Sequence, residues 1–432
     1  MPITKYLLNR LDNRIILSII IYFLAIYHYP IVFSMVGYMY EFEIELNFVL
    51  VVINLLLLLL LLFFSNCANI FLRHYFDFII LGIFLPISVV ISFMPHDFHG
   101  MYTLSVPFAT SLILILLPKL FISKQIIIGL FEKNYYEKEF KNIFLLLLIF
   151  LILFILYTIN TFGFTFNIYE IYINTYLLRV NNQSSGIIGY FVGSLVLLIM
   201  PLSLSFTGKI KYLFISITFI AVYLIFAVFA RKIIMFDFLL LFTISIFLTS
   251  YLKNKSLGIF FKNLPYYFYL SLFILSLFMT GIHPLLDRFF YLVGVNSVYY
   301  LDFFTNHDYM YYAYTKLDLG ISNYHQILGY IIDDNYYQGK GVNQSAGFLP
   351  TSFANFGLFS LFINTIILSI IVYIISKLLM YNIRVAYLFL VALALSLSNH
   401  NFLMLFLSNG LFFVILISLY IINKKRKKNV QK

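Results

Sequence analysis

"NLLLLLLLLFF", residues 54 to 64, carries a single polar side chain, Asn54. With its flanks it fills 46–64, close to the roughly 20 apolar residues that a helix needs to cross a bilayer. Comparable segments recur at 15–37, 77–94, 101–117, 143–160, 186–206, 212–230, 233–251, 265–281, 354–375, 385–399 and 402–422. That makes twelve, of which the eleventh is short and the last two nearly touch. Composition agrees with this reading. Of 432 residues 62% are hydrophobic and 10% charged, against about 25% charged in soluble domains, and mean hydropathy is +0.97. The expected class is an all-α polytopic membrane protein with a single membrane domain over 1–432. The first apolar segment is too long for a signal peptide and lacks a small-residue cleavage site. No internal repeat is evident.

The net charge of +11 suggests nucleic acid until its placement is considered. With the N-terminus inside, 22 of the 28 Lys and Arg fall on inner segments, six of them in the tail "KKRKKNVQK", and six fall outside. This asymmetry orients a membrane protein with both termini in the cytoplasm and suits anionic lipid rather than nucleic acid. The lone cysteine, Cys67, excludes a disulfide framework and a multi-cysteine metal site.

Two outer segments exceed what topology requires, 161–185 and 282–353. Structureless loops beyond about 12–15 residues are uncommon unless functional, so the larger is expected to carry short helices on or dipping into the interface. Its tyrosine pairs at 299–300, 311–312 and 336–337 suit an interfacial belt. Few basic residues lie outside, which singles out Arg179, Arg231 and Arg288. A guanidinium matches phosphate oxygens in bidentate fashion, while anchoring at a helix end is its other common use. Asp237, inside the eighth segment, is costly in hydrocarbon and faces a cavity, orients an arginine, accepts a proton or pairs with a neighbour. Of the outer histidines (His96, His99, His283, His307, His325 and His400), His307 and His325 are best placed for acid–base work on a hydroxyl. "HDFH" (96–99) has no companion ligands, so no metal is assigned. Adjacent Asp333 and Asp334 point apart and do not form a glycosidase pair. The sequons at Asn182 and Asn343 are discounted as chance matches. No Walker loop or GxGxxG precedes a helix, which removes ATP-driven transport and dinucleotide chemistry.

One late stretch departs from the apolar pattern: "GKGVNQSAGFLPTSFANFG", residues 339 to 357. Gly339, Gly341 and Gly347 permit unusual backbone. Asn343 and Asn355 offer amides to sugar hydroxyls or phosphate, and Ala354 to Gly357 are expected to start a helix whose amides face an anion. The alternative is a turn and cap ending a re-entrant loop. Tyr337, like other tyrosines here, can stack on a sugar ring or pack within the protein.

These residues (Asn343, Gly347, Phe348, Ala354, Asn355, Phe356 and Gly357), with "DRFFYLVG" from Asp287 and "RVNNQSSGIIGYF" around Arg179, resemble the bacterial oligosaccharide repeat-unit polymerases of the Wzy type. The topology resemblance spans nearly the whole chain and the motifs about sixty residues. It implies a GT-C-like glycosyltransferase of the inner membrane, with its active site facing outward and no metal or other cofactor. Donor and acceptor would be undecaprenyl-diphosphate-linked glycans, with a flippase and a chain-length regulator as partners. Arg231 and Arg288, with Arg179, would hold the diphosphate, and a loop base, for which His325 and His307 are the nearest options, would take the acceptor proton. The related O-antigen ligases commonly place a histidine shortly before the late helix. Here none lies between Tyr337 and Gly357, which favours the polymerase. A ligase and a flippase or secondary transporter are the competing expectations. The last usually shows repeat halves and interrupted mid-membrane helices.

Overall fold

The computed structural model describes residues 13–36, 45–66, 69–93, 105–115, 137–162, 193–206, 210–229, 232–253, 256–279, 283–313, 320–324, 326–337, 339, 346–407 and 409–430. Among them all regular structure is helical, with no strand. The principal helices are α1 (Asn13–Val36), α2 (Phe48–Ser65), α3 (Ile70–Ile91), α4 (Ser105–Ile115), α5 (Glu137–Phe162), α6 (Leu195–Ser205), α7 (Ile210–Phe229), α8 (Lys232–Leu252), α9 (Leu264–Phe278), α10 (283–306), α11 (Leu328–Tyr336), α12 (Phe348–Lys377), α13 (Ile383–Leu397) and α14 (Leu411–Val430). Five runs among the described residues are long and apolar enough to cross a membrane: Asn13–Ser34, Phe48–Ser65, Ile70–Ile91, Ile234–Leu252 and Phe348–Met380. Shorter apolar helices occupy most of the remaining expected segments. The molecule is a helical protein built for a membrane.

The chain divides into two compact units. The first comprises Met1–Leu120, Asn263–Ile370 and Leu397–Phe402. At its centre lies α3, whose apolar window is wholly buried, whereas α2 turns an apolar stripe outward. Phe48 and Phe63 on that stripe are 74% and 73% exposed, while Leu58, Leu61 and Leu62 are buried. A soluble helix presents polar residues on its outer face; here the outer face is as apolar as the inner, which fits a hydrocarbon solvent. Polar stitches join the helices where water is absent. Tyr22 donates to the Val51 carbonyl at 3.1 Å, and Asn54 donates to the Ser88 carbonyl at 3.0 Å and to Ser92 Oγ at 3.1 Å. The lone polar residue of the opening run is thus a rivet between α2 and α3.

The third expected segment, 77–94, begins earlier than its hydropathy suggests, at Ile70. Its first turns hold Arg73, His74 and Asp77, and the last is tolerated because Arg14 of α1 pairs with it at 3.3 Å, both side chains buried. Wide π turns at Ile80–Phe84 and Leu195–Ile199 lie just before Pro86 and Pro201. The extra width opens the helix where each proline ring would otherwise meet a carbonyl of the preceding turn.

The 282–353 segment, expected to carry short interfacial helices, opens with a longer one. Its first part is α10, which runs unbroken over 283–306 and is buried along most of its length. Gly294 makes this packing possible: a Cβ there would lie 2.5 Å from the Pro86 carbonyl oxygen of α3. Tyr291 donates to the Ala25 carbonyl of α1 at 2.8 Å. A sequence rich in Tyr, Phe and Val reads as interfacial, yet these residues form part of the core.

The second unit comprises Phe121–Lys262, Ile371–Ser396 and Leu403–Lys432. Phe144, Phe206 and Phe214 form a ring cluster with centres 4.6 to 5.5 Å apart. Ser245 of α8 donates to the Leu204 carbonyl at 3.0 Å, and Arg384 donates to Thr249 Oγ1 at 2.8 Å. The expected 402–422 segment is divided: Gly410, at φ +85°, turns the chain before α14 begins at Leu411.

Candidate functional site

The chemistry-bearing groups of the first unit gather around the end of α10. Asn296 accepts a 2.6 Å hydrogen bond from the Tyr337 hydroxyl, and both residues are buried. One turn on, Tyr299 stacks on Tyr336 at 4.3 Å, and the Tyr336 hydroxyl donates to Asp302. These contacts dock α11 onto α10. Burial, then the hydrogen bond to Asp302 and its negative charge, push the Tyr336 phenol well above its ordinary range. It is therefore a neutral donor. Tyr337, named from the sequence as a sugar platform, is instead a buried clamp.

His307 follows α10 directly. Its ring lies flat on Phe303, centres 4.1 Å apart and planes within 9°, and its Nδ1 is 2.9 Å from the Phe303 carbonyl oxygen. A carbonyl only accepts, so Nδ1 carries the proton and Nε2 presents a lone pair. The residue is exposed. An oriented, accessible imidazole in this tautomer has Nε2 available to accept a proton. Beside it, Tyr324 sits against Phe303 and Phe304 and donates to the Asp308 carbonyl at 2.8 Å. Asn323 donates to the Asp308 carboxylate at 3.5 Å. Partial burial and the Asp308 charge raise the Tyr324 phenol too.

The chain then crosses a break in α12. Phe356 (φ −148°, ψ 31°) and Gly357 (φ 62°, ψ −142°) are not helical, and the break frees backbone carbonyls inside an apolar helix. Met310 N–H donates to the Ala354 carbonyl at 2.9 Å, Tyr311 N–H to Asn355 at 3.1 Å, and Tyr312 N–H to Asn355 Oδ1 at 3.0 Å. Non-helical backbone at membrane depth is tolerated only where such partners are supplied. To supply them, Tyr311 and Tyr312 adopt positive φ of 51° and 60°, a conformation that costs a non-glycine residue on the order of 1 kcal/mol or more. The Tyr309 hydroxyl occupies the space that a side chain at 357 would need. Below the break Asn364 Nδ2 donates to Ser352 Oγ at 3.1 Å and the Tyr312 hydroxyl at 3.3 Å, with Ser360 Oγ 3.5 Å away.

The expected helix start at Ala354–Gly357 is therefore corrected: the helix begins at Phe348, and these residues are its interruption. Asn355 spends its amide on the chain itself, accepting from Tyr312 and donating to the Thr351 carbonyl at 2.8 Å. Asp287 and Arg288 do not open a loop but lie in a π turn near the start of α10, where Asp287 is buried. Of Arg288 only the backbone is described, and Arg179, Arg231, His325 and Asn343 lie outside the described residues. Asp237 sits half-buried on α8 of the second unit. The structure thus places His307, Tyr337 and Asn355 in the first unit, around the end of α10 and the 308–313 segment that follows it. Sequence reasoning passed over Tyr309 and Asn364 and read the Tyr311–Tyr312 pair as interfacial, since nothing in their spacing marks a residue that holds a break. Among the described residues no group of three or more His, Cys, Asp or Glu is arranged to hold a metal ion. No family model, curated protein or solved structure matches this chain.

Proposed function

We propose that the protein is a GT-C-like glycosyltransferase of about twelve spans in the bacterial inner membrane, polymerising undecaprenyl-diphosphate-linked repeat units into O-antigen, capsule or exopolysaccharide. In this reading the bond between the donor's anomeric carbon and the diphosphate breaks as an acceptor hydroxyl attacks that carbon. His307 Nε2 accepts the hydroxyl proton, and the diphosphate leaves with the bonding electrons, its charge held by Arg231, Arg288 and Arg179. Charge stabilisation of this kind is commonly the largest catalytic contribution. The observation that carries the reading is His307, exposed and held in the base tautomer by the Phe303 carbonyl at 2.9 Å. Of the two histidines named from the sequence, it is the one with a described orienting partner.

The test is the surface glycan of cells lacking their own copy, complemented with wild type, Arg231→Ala, Arg288→Ala or His307→Gln. A ladder restored by wild type and collapsing to one repeat unit with well-expressed variants supports the assignment; a full ladder from all three variants overturns it. A transporter is the second reading, favoured by the broken α12, since interrupted helices line carrier sites. It would be adopted if deletion left lipid-linked repeat units on the cytoplasmic leaflet.

A further inference from the structure

Away from the His307 end of α10, three helices of the first unit meet around two histidines. His28 lies on α1 within the Asn13–Ser34 run, and His283 is the first residue of α10. Both are at least 96% buried, and their ring centres are 5.9 Å apart at an interplanar angle of 40°. The Nδ1 atoms of both are buried without a hydrogen-bond partner. Unpaired buried polar atoms are rare and call for an explanation.

The protonation of His28 follows from its neighbour. Ser276 of α9 donates its hydroxyl proton to the Phe273 carbonyl at 2.8 Å, and its Oγ lies 3.3 Å from His28 Nε2. With that proton committed, Ser276 can only accept, so Nε2 carries the hydrogen and Nδ1 keeps a bare lone pair. This is the arrangement in which a second group fixes a metal-binding imidazole. The spacing separates two uses of the pair. A hydrogen bond between imidazoles puts nitrogens about 2.9 Å apart and ring centres about 5 Å apart. Two imidazoles on one ion, with bonds of about 2 Å, have centres about 6 Å apart when nearly opposed.

We propose that His28 and His283 bind one monovalent d10 transition-metal ion, of the copper(I) class, through two imidazole nitrogens. Among the described residues no third His, Cys, Asp or Glu joins them, and the wall is aromatic: Phe273 and Tyr27 pack on His28. A divalent ion such as zinc takes four ligands and brings twice the charge into a poorly solvated place. A monovalent ion content with two ligands avoids both demands. The site joins α1 to α10, so the ion is a structural clip independent of the glycan reading.

The experiment uses full-length protein, purified in detergent with a tag free of histidine and titrated anaerobically with copper(I) against bicinchoninate. One equivalent is expected, with X-ray absorption giving two nitrogen neighbours. His28→Gln or His283→Gln should weaken binding at least about 100-fold, and Ser276→Ala, which frees the tautomer, about 10-fold. Copper no higher than the detergent blank, sulfur or four-fold coordination, undiminished copper in the double Gln variant, or zinc bound as tightly as copper would each overturn the proposal. Where the Gln variants do not fold, the wild-type absorption spectrum decides. Glycan ladders read the polymerase separately.

Discussion

Arg14 and Asp77 place opposite charges in a buried pair at 3.3 Å. Removing one partner strands the other, which typically costs about 3–5 kcal/mol, whereas replacing both with apolar residues is often neutral. Asp77→Asn should therefore lower the thermal unfolding midpoint in detergent far more than Arg14→Met combined with Asp77→Leu; equal losses would show that the pair is no clamp. Tyr336 gives a pH-dependent case. Its phenol holds its proton more tightly when folded than the ordinary value of about 10. The stability it contributes is then full below about pH 10 and declines above it. Melting of wild type and Tyr336→Phe should differ at neutral pH and converge as pH rises past 10. On the catalytic reading, His307→Gln should slow polymerisation by about 100-fold or more, read as a shortened ladder at normal expression.

At the scale of elements, the interruption of α12 is the feature most open to test. Gly357 combines φ +62° with a Tyr309 hydroxyl that would lie 2.5 Å from a Cβ. Gly357→Ala should cost about 1–3 kcal/mol and loosen the 308–313 segment, seen as faster hydrogen exchange at Met310 and Tyr311. If their protection is unchanged, the glycine is not what sets the break. Gly294→Ala tests the α3–α10 packing in the same way, because its Cβ meets backbone that cannot step aside. Both elements show how far the sequence could be read. The apolar run and the glycine-punctuated approach to α12 were legible from hydropathy and composition. That Asn355 would bind Tyr312 rather than a ligand was not, since the donor lies 43 residues away. Likewise 283–306 was expected to carry short interfacial helices because it mixes Tyr, Asn and Asp with apolar residues, and its burial as one long helix depends on partners from α1, α3 and α11.

For the whole molecule, the charge asymmetry predicts sidedness. Cys67 is the sole cysteine, so a Cys67→Ser background allows single cysteines to report topology. Asn306→Cys, exposed at the end of α10, should react with an impermeant maleimide in intact spheroplasts, and a cysteine in the basic tail only after lysis. The reverse pattern would invert the topology and with it the outward-facing site. By itself the sequence determined the helical membrane class, because hydropathy and charge act additively along a chain and need no knowledge of neighbours. It also determined which residue types were available for chemistry. Only the tertiary structure decided that Asp77 is paired with Arg14, that α10 is core, that α12 is broken and that His307 holds its proton on Nδ1. The first three depend on partners brought from distant parts of the chain and the last on the carbonyl of Phe303 one turn back, and a short-range hydrogen bond or contact has no signature in local composition.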